Sequence, residues 1–440
     1  MKKVLILLLF LSFFTSLPVW ALRKDDQPVV GIKVSGPIIP IVADYIIRGI
    51  EYAEKEDSIL IIELDTPGGL DKSMRIINQK VLDSSVPVVI YVYPDGSRAA
   101  SAGVYMLYAA HVAAMAPSTN LGSAHPVSIG ISGGGDEKKE DKTMTEKITN
   151  DAVAYIKALA EKHGRNAGWA EDAVRKSVSI TSKEALKEGV IDIVATDHAD
   201  LIRQLDGRKV KLADAAVVLR PKQSLPETLP MTGVESFLLI ISDPSIALIL
   251  MMLGLSGLAY EFMSPGAILP GVVGGICFIL ALYSLGSLPI NYAGLFLIIF
   301  AVILFIADVK AQSHGVLTIG GIISMVLGTV LLIPAGYPYL AISKAVIIGV
   351  TVITSGFFIF LIAMVAKSLH RRPVSGKEGM IGVTVKALSD IGEQGTAALG
   401  GEIWNAQTAG EVIKKGEKAV IVDVEGLTLK VRQREASDRE

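Results

Sequence analysis

The stretch Ser58–Asp65, SILIIELD, followed at once by Thr66-Pro67-Gly68-Gly69, decides the fold. It is an almost unbroken apolar run of strand length. A strand of that kind is buried on both faces, as in parallel sheets covered by crossover helices. Outward from it the same alternation repeats. Val29–Val34 is β-branched, Pro40–Lys55 has helical periodicity and Leu70–Leu82 is helical again. Val86–Tyr93 (VPVVIYVY) is a second buried strand, followed by Ser101–Ala110 as a helix and His111–Met115 as a short strand. This alternation predicts an α/β domain with a mostly parallel sheet over residues 22–235. Gly130–Lys147 (GISGGGDEKKEDKTMTEK) reads as an exposed loop and Ile148–His163 as the helix that follows.

Beyond residue 235 the composition changes. The whole chain of 440 residues is 51% apolar and 20% charged, which excludes a disordered polypeptide. Its mean hydropathy of +0.49 points to a lipid bilayer. Between Ile246 and Ala366 only Glu261, Asp308, Lys310 and Lys344 carry formal charge. Apolar blocks at 246–262, 266–288, 292–307, 316–333 and 345–366 predict a transmembrane domain of about five helices over residues 236–366. Four is the fallback, should the first, short block lie in the interface.

Residues 1–21, with Lys2, Lys3 and the apolar run Val4–Phe14, read as a signal peptide that exports the α/β domain. Five spans then place the C-terminus in the cytoplasm. Lys367, His370, Arg371 and Arg372, directly after the last block, agree with that orientation in a multi-pass cytoplasmic-membrane protein. Residues 374–440, five short β segments punctuated by glycine, predict a small all-β OB-like barrel.

Net charge of −2 gives no basic field for nucleic acid. The single Cys277 excludes an intrachain disulfide, and the histidines show no metal-ligand spacing, so no metal is expected.

Two strand-to-helix turns carry the chemical signal. Gly68 and Gly69 after the central strand let backbone N–H groups face a site, as an oxyanion hole requires, although such turns often carry glycine for geometry alone. Gly96–Gly103 (GSRAASAG) sets Ser101 at a helix N-terminus among small residues, beside the N–H of Ala102. A plain N-cap serine is the other reading. A nucleophilic hydroxyl needs a base, and there are two candidates. Lys157 has Val153, Ala154, Ala160 and Glu161 at helical spacing, so its amine is expected on the packed side, where desolvation lowers its pKa. His125, in TNLGSAHP, is the alternative base.

DTPGG, RAASAGVYM, MAPSTNLGSAHPV, AYIKALAEKHGRN and SKEALKEGVIDIVA, in that order, resemble the membrane-bound ClpP-class serine proteases called NfeD proteins. The likeness extends over nearly the whole chain. It implies a ClpP/crotonase-like domain, a membrane-spanning middle and the terminal barrel. It also implies a Ser-Lys dyad, matched here by Ser101 and Lys157, with Gly68, Gly69 and Ala102 at the oxyanion site. Soluble ClpP proteases use a Ser-His-Asp triad instead, but the matching neighbourhood Arg175-Lys176-Ser177-Val178 holds no carboxylate to orient His125. Expected partners are a polypeptide substrate with hydrophobic or membrane-associated segments, a stomatin- or prohibitin-like membrane protein, the lipid bilayer and further copies of the chain. No cofactor is implied. Two other readings stand beside this one. One is a non-proteolytic membrane scaffold whose cytoplasmic barrel binds a partner; the other is acyl-CoA chemistry on the related crotonase fold.

Overall fold

The computed structural model describes residues 26–126, 138–213, 215–263, 266, 268–311, 313, 315–334, 338–369 and 376–434. The leader expected at 1–21 lies outside the described residues.

The apolar runs become strands and the periodic segments become the helices between them. In chain order these are β1 (Val29–Ser35), α1 (Pro40–Lys55), β2 (Ile59–Asp65), α2 (Asp71–Leu82), β3 (Val88–Val92), β4 (Arg98–Ala100) and α3 (Ala102–Ala109). There follow β5 (Val112–Met115), β6 (Asn120–Gly122), α4 (Lys138–His163), α5 (Ala167–Arg175), β7 (Ser179–Thr181), α6 (Ser182–Lys187), β8 (Ile193–Val194) and α7 (His198–Leu205). A hairpin β9 (Lys209–Lys211) and β10 (Ala216–Val218), then β11 (Glu227–Thr228) and α8 (Gly233–Ile241), complete this part. One sheet has the order β11-β1-β2-β3-β5-β8, with all neighbours parallel.

Register divides this sheet into two faces with the period of the strand. Ile32, Ile62 and Ile90 fall in one core beneath α1, α2 and α3, whereas Ile61, Val89 and Tyr91 fall in a second beneath α7. A small second sheet, β4-β6-β7, stands at the carboxyl ends of these strands and joins them through the bridge Thr66–Ala99. The expected loop Gly130–Lys147 is corrected in its second half, because α4 is already helical from Lys138.

The end of α3 is held by a buried cation. Arg165, whose side chain is 3% exposed, donates from Nη1 to the carbonyls of Leu107 (3.1 Å) and Tyr108 (2.9 Å). Its Nη2 reaches Asp192 Oδ2 at 2.7 Å, which also accepts from the N–H of Ala113 at 2.7 Å. A positive charge on the last carbonyls of a helix opposes the negative end of its dipole. Beside it His111 and His163 meet edge-on at 5.9 Å, and His111 Nδ1 accepts from the N–H of Val88 at 3.1 Å. Burial, reinforced by Arg165, pushes their pKa values down to about 4 and about 3 respectively.

Five apolar helices follow: α9 (Pro244–Met263), α10 (Ile268–Gly286), α11 (Tyr292–Ala311), α12 (Val316–Leu332) and α13 (Lys344–Leu369). Four are long and apolar enough to cross a membrane, and α12, at 17 residues, falls short by that measure. The block expected to be marginal, the first, instead forms a full 20-residue helix. Glycine lets the helices touch at backbone level. A Cβ at Gly257 would lie 2.9 Å from the Cα of Gly274 across α9 and α10. One at Gly294 would lie 2.8 Å from the Gly328 carbonyl across α11 and α12.

From Phe357 onward the chain forms a second compact unit. After the short α14 (Lys377–Met380), strands β12 (Thr384–Ala387), β13 (Gly395–Leu399), β14 (Glu402–Gln407), β15 (Lys418–Glu425) and β16 (Thr428–Gln433) close a barrel in the order β12-β13-β14-β16-β15. Val385, Ile391, Ile413, Ile421 and Leu429 fill it, as an OB-like barrel requires.

Two measurements follow from the buried charges. Arg165→Met leaves two helix-end carbonyls without their donor and takes one of two arginines from the part-exposed Asp192, so denaturant unfolding of the α/β domain should show a loss of about 1–3 kcal/mol. The two histidines bind protons more readily unfolded than folded. Their contribution is therefore full above the ordinary imidazole value of about 6.5 and is lost as pH falls toward about 4. The denaturation midpoint should drop over that interval, and His163→Phe should flatten the drop.

Candidate active site

Chain direction changes at a single residue. β4 ends at Ala100 and α3 begins at Ala102, so Ser101 alone makes the turn, with φ +49° and ψ −113°. That conformation is costly for a residue with a side chain, and it presents the hydroxyl at the top of a strand-to-helix elbow. It is held by hydrogen bonds on both sides: the N–H of Ser101 donates to the Ser123 carbonyl at 2.8 Å, and its carbonyl accepts from the N–H of Val104 at 3.0 Å. Against the elbow lies the 66–69 loop. A Cβ at Gly68, where φ is +123°, would sit 2.7 Å from the Cβ of Ser101. A Cβ at Gly103 would sit 2.7 Å from Thr66 Cγ2. Both glycines are needed for close approach.

The two glycines of the loop have different duties. The N–H of Gly68 is committed to Thr66 Oγ1 at 3.1 Å, and its carbonyl accepts from the N–H of Ile38 at 2.8 Å. Leu70 N–H donates to the Ile38 carbonyl at 2.9 Å. These bonds flank Gly69 in a parallel bridge to Ile38, which turns the N–H of Gly69 itself away from that partner. Gly69 lines the cavity onto which Ser101 opens, and so does Ala102, the first residue of α3, whose N–H has no acceptor within its helix. Of the residues expected at an oxyanion site, Gly69 and Ala102 line the same cavity as Ser101. Gly68 is brought there as a space-saving contact.

The cavity holds about 440 Å³. Met74, Tyr105, Ala124 and Ala152 give it apolar walls. Tyr105 donates its hydroxyl to the Ala124 carbonyl at 3.1 Å, and burial pushes its phenol well above the ordinary value. Asp71, Arg75 and Asp151 add charge, and Tyr339, from the connection between α12 and α13, lies on the same cavity. Among the described residues no group of three or more His, Cys, Asp or Glu could hold a metal ion.

Lys157 is not among the residues lining this cavity. Its Nζ lies 2.9 Å from Glu171 Oε2 and its side chain is 41% exposed, so the desolvated amine expected there is corrected to an ion-paired surface lysine. The partner is a residue of α5 that the helical-spacing argument could not see. The lysine on the cavity is Lys147, beside Ile148, Asp151 and Ala152 on successive turns of α4. Lys157 lies ten residues further along, which on a helix is about 15 Å of rise and roughly 80° of rotation. Lys147 closes the glycine-rich, charged stretch 130–147, and the K-I-x-x-D-A spacing is the sequence signal that sets it on the helix with Asp151. His125 Nδ1 lies 2.8 Å from the Val174 carbonyl, so a backbone group orients the ring where a triad would use a carboxylate. Its neighbours Ala124 and Pro126 line the cavity, whereas the imidazole is not part of the lining.

Comparison with known proteins gives the same domain order. Three family models match in succession. They are the NfeD1b N-terminal domain over residues 29–215, the NfeD integral membrane domain over 245–364 and the NfeD-like C-terminal, partner-binding domain over 377–433. The chain is 37% identical to the membrane-bound protease PH1510 of Pyrococcus horikoshii over 447 residues, covering 98% of this chain and 97% of that one. It is 25% identical over 440 residues to the membrane protein NfeD1b of Bacillus subtilis, covering 93% and 94%.

Among solved structures it is similar to 1510-N, a membrane-bound stomatin-specific protease, in a lysine-to-alanine variant with a substrate peptide. That likeness has 36% identity, covers 49% of this chain and 98% of that chain, and has a TM-score of 0.43. A second structure, the 1510-N membrane protease specific for a stomatin homolog from Pyrococcus horikoshii, shares 34% identity over 50% of this chain and 100% of that chain, with a TM-score of 0.41. The chain belongs to the NfeD family, as a membrane-bound protease of that type.

Proposed function

We propose that the chain is a serine endopeptidase in which Ser101 is the nucleophile and Lys147 the general base. The observation that carries this is the convergence of a strained serine elbow, the Gly69 and Ala102 N–H groups and one lysine on a single cavity. Ser101 Oγ attacks the scissile carbonyl carbon while the neutral amine of Lys147 takes the hydroxyl proton. The oxyanion is held by the N–H groups of Gly69 and Ala102. The ammonium then delivers its proton to the leaving amine, and water hydrolyses the acyl-serine by the same path in reverse. Met74, Tyr105, Ile148 and Ala152 around the serine favour apolar polypeptide segments. The family resemblance adds a stomatin-like membrane protein as substrate or partner, and association into a homo-oligomer.

The same reading places the α/β domain outside the cytoplasmic membrane and the barrel in the cytoplasm. Tyr339 supports it by parity. Four apolar helices, α9 to α12, separate the α/β domain from the connection carrying Tyr339, which reaches the Ser101 cavity. Both ends lie on one side only if the number of crossings between them is even, so the short α12 crosses as well. Five spans result.

Three outcomes test these statements. With a quenched-fluorescence peptide carrying apolar residues about the scissile bond, Ser101→Ala and Lys147→Ala should each lower kcat by at least about 10³-fold. Lys157→Ala should stay within about threefold, and kcat/KM should have a limb that ascends with pH as the lysine loses its proton. Activity retained by Lys147→Ala and lost in His125→Ala would move the base to the imidazole, and full function of Ser101→Ala in cells would favour the scaffold reading. Gly68→Ala should cost about 10²-fold in kcat, because the new methyl displaces the elbow. In a Cys277→Ala background, Ser343→Cys should react with an impermeant maleimide from outside and Ala311→Cys only after permeabilisation. The reverse pattern would refute the topology.

A further inference from the structure

Lys147 and Asp151 are four residues apart on α4 and both line the catalytic cavity. At that spacing a lysine and an aspartate reach one another, and the pairing holds the amine protonated. Lys157 shows what a lysine of this helix does when a carboxylate is in reach, since its Nζ lies 2.9 Å from Glu171. Lys147 has no hydrogen bond or ion pair among the described residues, and Asp151 is turned elsewhere. Its Oδ2 accepts from Arg75 Nη2 at 2.5 Å.

Arg75 is fixed by two further contacts. Its Nε donates to Asp71 Oδ2 at 2.9 Å, one turn back on α2, and its guanidinium lies 4.4 Å from the ring centroid of Tyr155, one turn beyond Asp151 on α4. A planar group with several donors can hold two carboxylates while stacked on a ring, which an ammonium cannot do.

We propose that Arg75 is a positioning residue that withholds Asp151 from Lys147, leaving the base unpaired in the cavity. The inference rests on the reading of Lys147 as general base. The groups around that amine fit it. On α4 itself the residues three and four positions away are Thr143, Met144, Asn150 and Asp151, of which only Asp151 is charged, and the adjacent Glu146 is exposed. From α2 the cavity receives Asp71 and Arg75, from α3 Tyr105, from the elbow Ser101 and from the α12–α13 connection Tyr339. Asp71, Asp151 and Arg75 together carry one net negative charge beside the lysine, and without Arg75 they carry two.

The test reads the amine directly, in the intact detergent-solubilised protein. The pH dependence of its labelling by an amine-reactive anhydride is followed at Lys147 by mass spectrometry. Arg75→Met should raise the apparent pKa of Lys147 by about half a unit, the effect of one charge roughly 6 Å away through water. The ascending limb of kcat/KM for the apolar peptide should move up by the same amount, lowering activity at neutral pH about threefold. Adding Asp151→Asn should return both profiles toward the wild type, a rescue that a merely structural role of Arg75 would not give. An unshifted profile would overturn the proposal, as would a shift reversed by Asp71→Asn and not by Asp151→Asn. Lys147→Ala in the same peptide assay separates the two readings. Retained hydrolysis would remove the base assignment itself, whereas lost hydrolysis with an unshifted Arg75→Met profile would remove only the role of Arg75.

Discussion

Everything at the site depends on the 66–69 loop approaching the serine elbow more closely than any side chain at position 68 would allow. The gap left for a Cβ there is 2.7 Å from the Cβ of Ser101. Four hydrogen bonds enforce it: Gly68 N–H to Thr66, Ile38 N–H to the Gly68 carbonyl, Leu70 N–H to Ile38, and Ser101 N–H to Ser123. The strain of a serine at positive φ is thus borne by neighbours on three different segments. At the far end of α3, Arg165 fixes the last carbonyls, so the helix bearing the nucleophile is held at both termini. A short helix of eight residues could not be positioned by its own propensity.

The strand and helix alternation of the α/β domain was legible because burial on both faces leaves a continuous apolar run, as in Ile59–Leu64, which periodicity detects directly. The barrel was legible for a different reason: its turns need glycine, and glycine marks the strand ends. Ser101, Gly69 and Ala102 were readable as strand-to-helix turns. The lysine was not. Helical spacing around Lys157 reports its own helix only, and the side chain that decides its state, Glu171, arrives from α5. Lys147 follows a glycine-rich, charged stretch that conceals how far α4 extends toward the N-terminus. Sequence neighbours report burial along one element, whereas a functional lysine is defined by what other elements bring to it.

The membrane segment shows the same distinction. Hydropathy found all five apolar blocks but misjudged which was marginal, because a helix takes its ends from capping and packing. Pro244 and Met263 extend the first to 20 residues, whereas Val316–Leu332 stops at 17. Length alone would demote α12. On the proposed topology α12 nevertheless crosses, in keeping with its close packing on α11, glycine against glycine at Gly294 and Gly328, and with the return of the following connection to the Ser101 cavity. A local thinning of the bilayer or anchoring at the interface accommodates a span a few ångströms short at modest cost.

On the proposed mechanism, the exposure of Lys147 has a consequence for selectivity. A lysine gives up its proton more readily where water is excluded. Arg75 holds Asp151, but it does not supply low-dielectric surroundings. Those come from whatever fills the cavity. A polar peptide leaves water beside the amine, whereas an apolar segment lying against Met74, Tyr105, Ile148 and Ala152 excludes it and strengthens every electrostatic interaction at the oxyanion. The substrate thereby completes the base that cleaves it. Discrimination for apolar sequences then appears in kcat as well as in binding, since desolvation of Lys147 is realised only in the filled site.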